Sequence, residues 1–247
     1  MSSSVKSAIR VLEVLEYLDS TRHDASVTEI ARELGYPVSS TSMLLQTMAE
    51  RGYLEQDAQR TYRMTPRVTL LGSWVAPRLA PDGAVLTMMA ELSGSCGAAI
   101  VLAIAGKTQV RYIYVIPATR TVRMHVSPGT TRPMANSGFG RLFMSAMSDE
   151  DVRQVVFRHN AQLPEGSTQL ALSAVRQDIR IILSSGYAVS YNQATPGAGV
   201  VVVKLPEHST DIPMAVGIGA PSELIRENAV AYAKLLKDCV QRYCSIE

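Results

Sequence analysis

The segment SVTEIARELGYPVSSTSMLLQTMAERGYLEQDAQRTYRM, residues 26–64, decides how this chain is read. Its first four residues, Ser26-Val27-Thr28-Glu29, have capping-box spacing: a hydroxyl can accept from the amide three residues on, and a carboxylate can return the bond. Ile30, Ala31 and Leu34 form the inner side of the short helix that follows. Gly35 suits a left-handed C-terminal cap, and Pro37 suits the first turn of another helix. The spacing predicts that second helix over residues 37–51. Met43, Leu44, Leu45 and Met48 are its apolar positions, and Ser39, Ser40, Thr41, Ser42, Gln46 and Thr47 give it a small polar front. Gly52 stops it. Residues 53–55 and 61–64 read as two short strands joined by a turn over 57–60. Helix, tight turn, helix and hairpin is the order of a winged helix-turn-helix, which lays its second helix in the major groove of DNA.

Upstream, residues 6–19 read as a helix with Ile9, Val11, Leu12, Leu15 and Leu18 at helical spacing, followed by a polar loop over 21–25. Short hydroxyl side chains let a helix approach phosphates and base edges closely. The residues expected to meet DNA are therefore Thr28, Ser39, Ser40, Thr41, Ser42, Gln46 and the wing arginines Arg60 and Arg63. Bulk charge does not argue for this: the net charge is +2, and the first 75 residues carry eight cations against nine acids. Position does, because Arg51, Arg60, Arg63 and Arg67 cluster after the second helix, and a basic edge on a neutral domain can still contact phosphates.

Downstream, residues 66–80 read as a linker helix containing Trp74. Residues 81–247 read as a second domain of hairpin-joined strands with flanking helices. Helices are expected at 82–93, 138–147, after Ser148, at 167–185 and from Ser222 to 243. Strands are expected at 98–105, 109–116, 122–126, 187–193, 199–205 and 212–219. That pattern implies an α+β fold with a mostly antiparallel sheet.

Three segments, Ser26-Val27-Thr28-Glu29-Ile30-Ala31, Pro37-Val38-Ser39-Ser40-Thr41 and Gly52-Tyr53-Leu54, together with Leu44-Leu45 and Tyr62-Arg63-Met64, resemble the IclR family of bacterial regulators, and the resemblance runs through essentially the whole chain. It implies a winged helix-turn-helix domain (residues 1–65), a linker helix (66–80) and a GAF-like effector-binding domain (81–247). One departure stands out. The family usually has arginine just before the Leu-Leu pair, and this chain has Met43. Residues 133–144, PMANSGFGRLFM, look like the family's effector motif, with Arg141 where many relatives have lysine. Free amides where a glycine-containing turn opens a helix attract an electron-rich group, so Asn136, Ser137, Gly138 and Phe139 are expected at the effector. The acid, cysteine and two hydroxyl residues with which relatives line the far side of the pocket match Ser190, Val200, Gly217 and Gly219. The family's usual acidic pair appears as Asn192 and Gln193. The resemblance thus implies a pocket with fewer polar anchors and more room, favouring a flat, apolar or aromatic effector whose ring lies near Met124, Val200 and the two glycines.

Other classes find little support. Three cysteines (Cys96, Cys239, Cys244) and four scattered histidines (His23, His125, His159, His208) have neither disulfide-framework nor metal-ligand spacing. No apolar run reaches the ~18–20 residues of a membrane span, and the first residues lack the apolar core of a signal peptide. A cytoplasmic protein is therefore expected. Nucleophile elbow, P-loop, HExxH and dinucleotide-binding glycines are all missing from the sequence, and Ser137 with His125 has no evident orienting carboxylate. The expectation is a non-enzymatic transcriptional regulator of catabolic genes, without cofactor or metal. It would act as a homodimer or homotetramer on a palindromic operator in double-stranded DNA, away from membranes. A protein-docking winged module and an enzyme with a regulatory helix-turn-helix are the alternatives.

Overall fold

The structure is a computed structural model that describes residues 5–72, 83–120, 126–206 and 213–244. It divides into two compact units, residues 1–76 and 77–247.

In the first unit, α1 (Lys6–Thr21) packs on α2 (Val27–Leu34) and α3 (Val38–Glu50). The α2–α3 turn follows the sequence closely. Ser26 Oγ accepts from Glu29 N at 3.3 Å, Gly35 is left-handed at φ 69°, and Pro37 stands at the N-cap of α3 rather than inside it. The Glu29 carboxylate accepts from the Tyr17 hydroxyl at 3.1 Å, which ties α2 to α1. The wing gains a strand beyond the hairpin read in the sequence. β1 (Ala25–Ser26) pairs with β3 (Thr61–Met64), which pairs with β2 (Leu54–Gln56), all antiparallel. Ala25 is fully buried, so the segment read as a polar loop ends in a core strand. Val14, Leu18, Ile30, Leu45, Met48, Leu54 and Tyr62 form the core. A short helix, α4 (Pro66–Gly72), follows; the rest of the expected linker helix, with Trp74, lies outside the described residues.

The second unit is an antiparallel sheet with helices on both faces. Its described strands are β4 (Ala99–Ala105), β5 (Gln109–Ile116), β6 (Thr131–Pro133), β7 (Ala188–Tyr191), β8 (Ala198–Lys204) and β9 (Met214–Pro221), in the order β6-β5-β4-β9-β8-β7. Strand alternation sorts the side chains. Ile100, Leu102, Val201, Val203, Val216 and Ile218 face α5 (Ala84–Cys96) and α9 (Ser222–Cys244). Val101, Ala103, Val202 and Ala215 face α6 (Gly138–Met144), α7 (Asp149–Ala161) and α8 (Leu172–Ser185). The fold is α+β with an antiparallel sheet, as the strand pattern implies. The helix expected over 167–185 starts later, at Leu172, and most of the strand expected at 122–126 lies outside the described residues.

Candidate functional site

The exposed stripe of α3 differs from the front read in the sequence. Thr41 is 1% exposed and belongs to the inner stripe with Leu45 and Met48. Its Oγ1 donates to the Pro37 carbonyl at 3.0 Å, so it does not face outward as expected. Ser40 is half-buried and donates to the same carbonyl at 3.0 Å. Spacing of three and four puts Ser39, Met43 and Gln46 on one outward line, with half-buried Ser42 beside it. Met43, counted among the helix's apolar positions and standing where relatives have arginine, is 72% exposed at the middle of that line. The inner 41–45–48 spacing was the signal that would have turned it outward. Gln46 Nε2 donates to Glu50 Oε1 at 3.1 Å, leaving its amide oxygen to accept. Thr28 is exposed in the first turn of α2.

On the wing, the Asp57 carboxylate takes the Thr61 amide at 2.8 Å and the Thr61 hydroxyl at 2.7 Å. These bonds hold its carboxyl below the usual range and fix the turn. Arg60 occupies that turn at φ 64° and is exposed; its guanidinium makes no ion pair among the described residues. Arg63 is bound across the strands to Glu55 at 2.6 Å.

In the second unit, α6 begins where Ser137 caps it. Ser137 Oγ accepts from Gly140 N at 3.1 Å and donates to the Pro133 carbonyl at 2.8 Å, and the residue is 2% exposed. Its hydroxyl is committed to the backbone, and the residue expected at the effector does not line the cavity described below. Gly140 must be glycine, because a Cβ there would run into the Met134 carbonyl. Gly138 is closed over as well: a Cβ would lie 2.8 Å from both Ser190 Oγ and Val200 Cγ1. Arg141 points away from the cavity described below. It is 5% exposed, with a 3.4 Å ion contact to Asp178 too poorly aimed for a hydrogen bond. Burial lowers its pKa and Asp178 opposes that.

A cavity lies on the α6 face of the sheet. Its apolar lining comes from Val101, Val126, Phe139, Val200 and the Ala99–Gly219 floor. Its volume is about 50 Å³, or about 510 Å³ when all the void out to open solvent is counted. For scale, a dry cavity of ~150 Å³ holds benzene, so the lining has to part to take in a whole ring. Phe139, Ser190, Val200 and Gly219 are brought together here. Gly138 and Ser137 lie behind the wall, and Asn136 is half-buried in the turn before α6 without lining the cavity. Met124 lies outside the described residues. The room expected at Gly217 is already filled, since a Cβ there would stand 2.8 Å from Phe139 Cζ. At Gly219 the nearest atoms to such a Cβ are 3.9 and 4.0 Å away, so a methyl would fit there in ordinary contact.

The cavity also has polar anchors that the sequence reading left out: Arg132, Tyr112 and Thr195, with Gln193 in a role not foreseen. Arg132 Nη2 donates to Thr195 Oγ1 at 3.2 Å, and the guanidinium lies 6.0 Å from the centre of the Tyr112 ring. Burial raises the Tyr112 phenol and Arg132 pulls it back. Gln193 Oε1 is buried and accepts no bond among the described residues. Arg132 directly before the 133–144 motif was the available signal; its meeting with Thr195, 63 residues on, was not visible.

Comparison with known proteins bears on both units. The IclR helix-turn-helix domain matches residues 7–58, and the C-terminal domain of the bacterial transcriptional regulator IclR matches residues 83–245. The chain belongs to the IclR family. Like other IclR regulators it joins a DNA-binding domain to an effector-binding domain. Its similarity to the acetate operon repressor of Salmonella typhimurium is 23% identity over 233 residues, 93% of this chain and 85% of that protein. The transcriptional repressor IclR of Escherichia coli is 22% identical, with the same coverage. Among solved structures, the IclR regulator from Alicyclobacillus acidocaldarius aligns with a TM-score of 0.62 at 23% identity, covering 98% of both chains. An IclR homolog from Microbacterium hydrocarbonoxydans complexed with 4-hydroxybenzoate aligns with a TM-score of 0.61 at 16% identity, covering 96% of this chain and 97% of that one. These structural likenesses concern the fold.

Proposed function

We propose that this IclR regulator is a repressor of catabolic genes whose operator affinity is set by a small, largely apolar, aromatic organic effector. The observation that carries the reading is the cavity on the α6 face: Val101, Phe139 and Val200 wall it, and Gly219, with no side chain, lies in its floor. Apolar walls with a few convergent polar groups suit a flat organic ligand. The 4-hydroxybenzoate held by the Microbacterium homolog and the repressor names of the Salmonella and Escherichia relatives support the same direction.

On the DNA side, Ser39, Ser42, Met43 and Gln46 read base edges. Thr28, Ser40 and Arg60 meet phosphates, and Arg63 joins them when it leaves Glu55. The protein acts as a homodimer or homotetramer, because paired half-sites about one helical turn apart (~34–36 Å) require two such helices. It works in the cytoplasm, where its operator is. It does no chemistry on its ligand: the one serine imagined as a nucleophile, Ser137, spends its hydroxyl on Gly140 and Pro133. The domain boundaries that go with this reading are 1–65, 66–80 and 81–247.

Selection of duplexes from a random library, followed by titration of benzoate-like acids into the complex, tests the reading. A palindromic consensus whose affinity changes at least severalfold with an aromatic acid is the expected result. A ligand can shift that affinity only through a preference for one arrangement of the protein. No enriched duplex, or a response to glyoxylate or pyruvate and to no aromatic acid, would overturn it.

A further inference from the structure

We propose that the effector is an organic anion that also carries an O–H or N–H donor, with Arg132 taking its acid group and Gln193 Oε1 taking its donor. The inference rests on the reading of the cavity as the effector site and adds what that site selects.

Arg132 sits in β6 opposite Val110 of β5, so the ladder fixes where its side chain starts. It makes one bond to Thr195 and a 3.5 Å contact with the Thr131 carbonyl, out of five guanidinium donors. No carboxylate pairs with it among the described residues. A cation without an acid partner at the edge of an apolar cavity attracts an anion, and the planar fork suits a carboxylate.

Gln193 supplies the second demand. Its Oε1 is buried with no partner among the described residues, and an acceptor left unmade in that way costs free energy that a ligand donor would recover. The segment that presents it is held firmly. Asn192 adopts φ 54°, and its Oδ1 accepts from Gly197 N at 2.7 Å and from Ser222 Oγ at 3.0 Å. Asn192 N donates to the Ala198 carbonyl at 2.8 Å. The loop between β7 and β8 therefore delivers Gln193 and Thr195 to the cavity wall as a fixed pair. A bare carboxylate satisfies Arg132 but sets its lone pairs against Gln193 Oε1. A hydroxy or amino acid satisfies both.

Calorimetric titration of the full chain with benzoate, its 2-, 3- and 4-hydroxy isomers and phenol tests this, on wild type, Arg132→Gln, Arg132→Lys, Gln193→Leu and the Arg132→Gln/Gln193→Leu double variant. Thermal melting serves as the folding control. The expected result has three parts. One hydroxybenzoate binds wild type about tenfold or more tighter than benzoate. Arg132→Gln weakens the acids by a similar factor while leaving phenol unchanged, and Arg132→Lys keeps part of the acid binding. Gln193→Leu, which removes the orphaned acceptor, brings benzoate and the preferred isomer to within about twofold of each other. The proposal is overturned if benzoate binds wild type as tightly as every isomer, if the hydroxyl preference survives in Gln193→Leu, or if Arg132→Gln affects acids and phenol alike. In those cases the aromatic-effector reading still stands. Binding of none of the five compounds to folded wild type overturns both.

Discussion

Ser137→Ala separates two roles for the residue that opens the effector motif. If Ser137 served an effector, its loss would weaken ligand binding and leave the fold intact. The structure gives it a different task, since its hydroxyl caps α6 through Gly140 N and ties back to the Pro133 carbonyl. Losing an N-cap hydroxyl costs about 1 kcal/mol. Every residue of α6 is buried, so the Gly140 N–H would find no water in its place, and an unsatisfied buried donor costs about 1–3 kcal/mol. The two figures describe the same lost bond, so they are not added, and the cost is about 1–3 kcal/mol. For a unit of this size (residues 77–247), 1 kcal/mol corresponds to about 2–4 °C, so the transition should fall by about 2–12 °C. Scanning calorimetry of the full chain reads this directly. Ser137→Thr, which keeps the hydroxyl, should recover much of the loss. At a temperature where the variant is folded, its affinity for whichever acid the wild type binds should stay within about twofold, since cap and cavity share no hydrogen bond. An unchanged transition combined with a tenfold loss of ligand affinity would refute the cap argument and return Ser137 to the binding site.

Three further outcomes follow from the same geometry. Arg60→Gln should reduce the slope of log affinity for DNA against log salt by about 0.9, one phosphate's worth; Arg63→Gln should reduce it less, because Glu55 already holds that guanidinium, and gel shifts across a salt series compare the two. Met43→Ala should abolish a preference for thymine at one operator position. Replacing that thymine by deoxyuridine should weaken wild type about fourfold, the value of one buried methyl at about 0.8 kcal/mol, and leave the variant unaffected; an equal effect on both proteins would sink the contact. Glu91 is held below its ordinary 4.5 by the Tyr243 and Arg242 side chains that donate to it. A carboxyl depressed in the folded state stabilises above the unfolded value, and the benefit disappears as pH falls through the lower folded value. Glu91→Gln should therefore melt below wild type at neutral pH, and the two curves should converge in acid, below pH about 4.5.

Local chemistry accounts for what could be read in the chain. The α2–α3 turn was legible because each of its residues acts on its own neighbours: Ser26 on the Glu29 amide, Gly35 on its own φ, Pro37 on the start of the next helix. The strands were legible as short apolar runs bounded by turn residues, although both faces of the central ones are buried and their alternation was not. What failed were inferences about which way a side chain turns when its residue type is ambiguous. Threonine in a hydroxyl-rich run and methionine beside two leucines look polar and apolar, yet Thr41 lies inside and Met43 outside. Helical spacing outranks residue type because the inner stripe runs 41–45–48, and a hydroxyl can be buried cheaply by bonding the carbonyl four residues back, as Thr41 does with Pro37. Gly217 fails for a related reason: an absent side chain makes room only if no neighbour takes it, and Phe139 does. The polar corner of the cavity was out of reach for a different reason. Arg132 and Thr195 belong to opposite edges of the described sheet, β6 and the loop beyond β7, and they meet only because the sheet curls to bring those edges over one face. On the proposed reading of the cavity, ligand selectivity depends on a contact between residues 63 apart in the chain, so a single change in the 192–197 loop should retune the effector without touching the motif that marks the family.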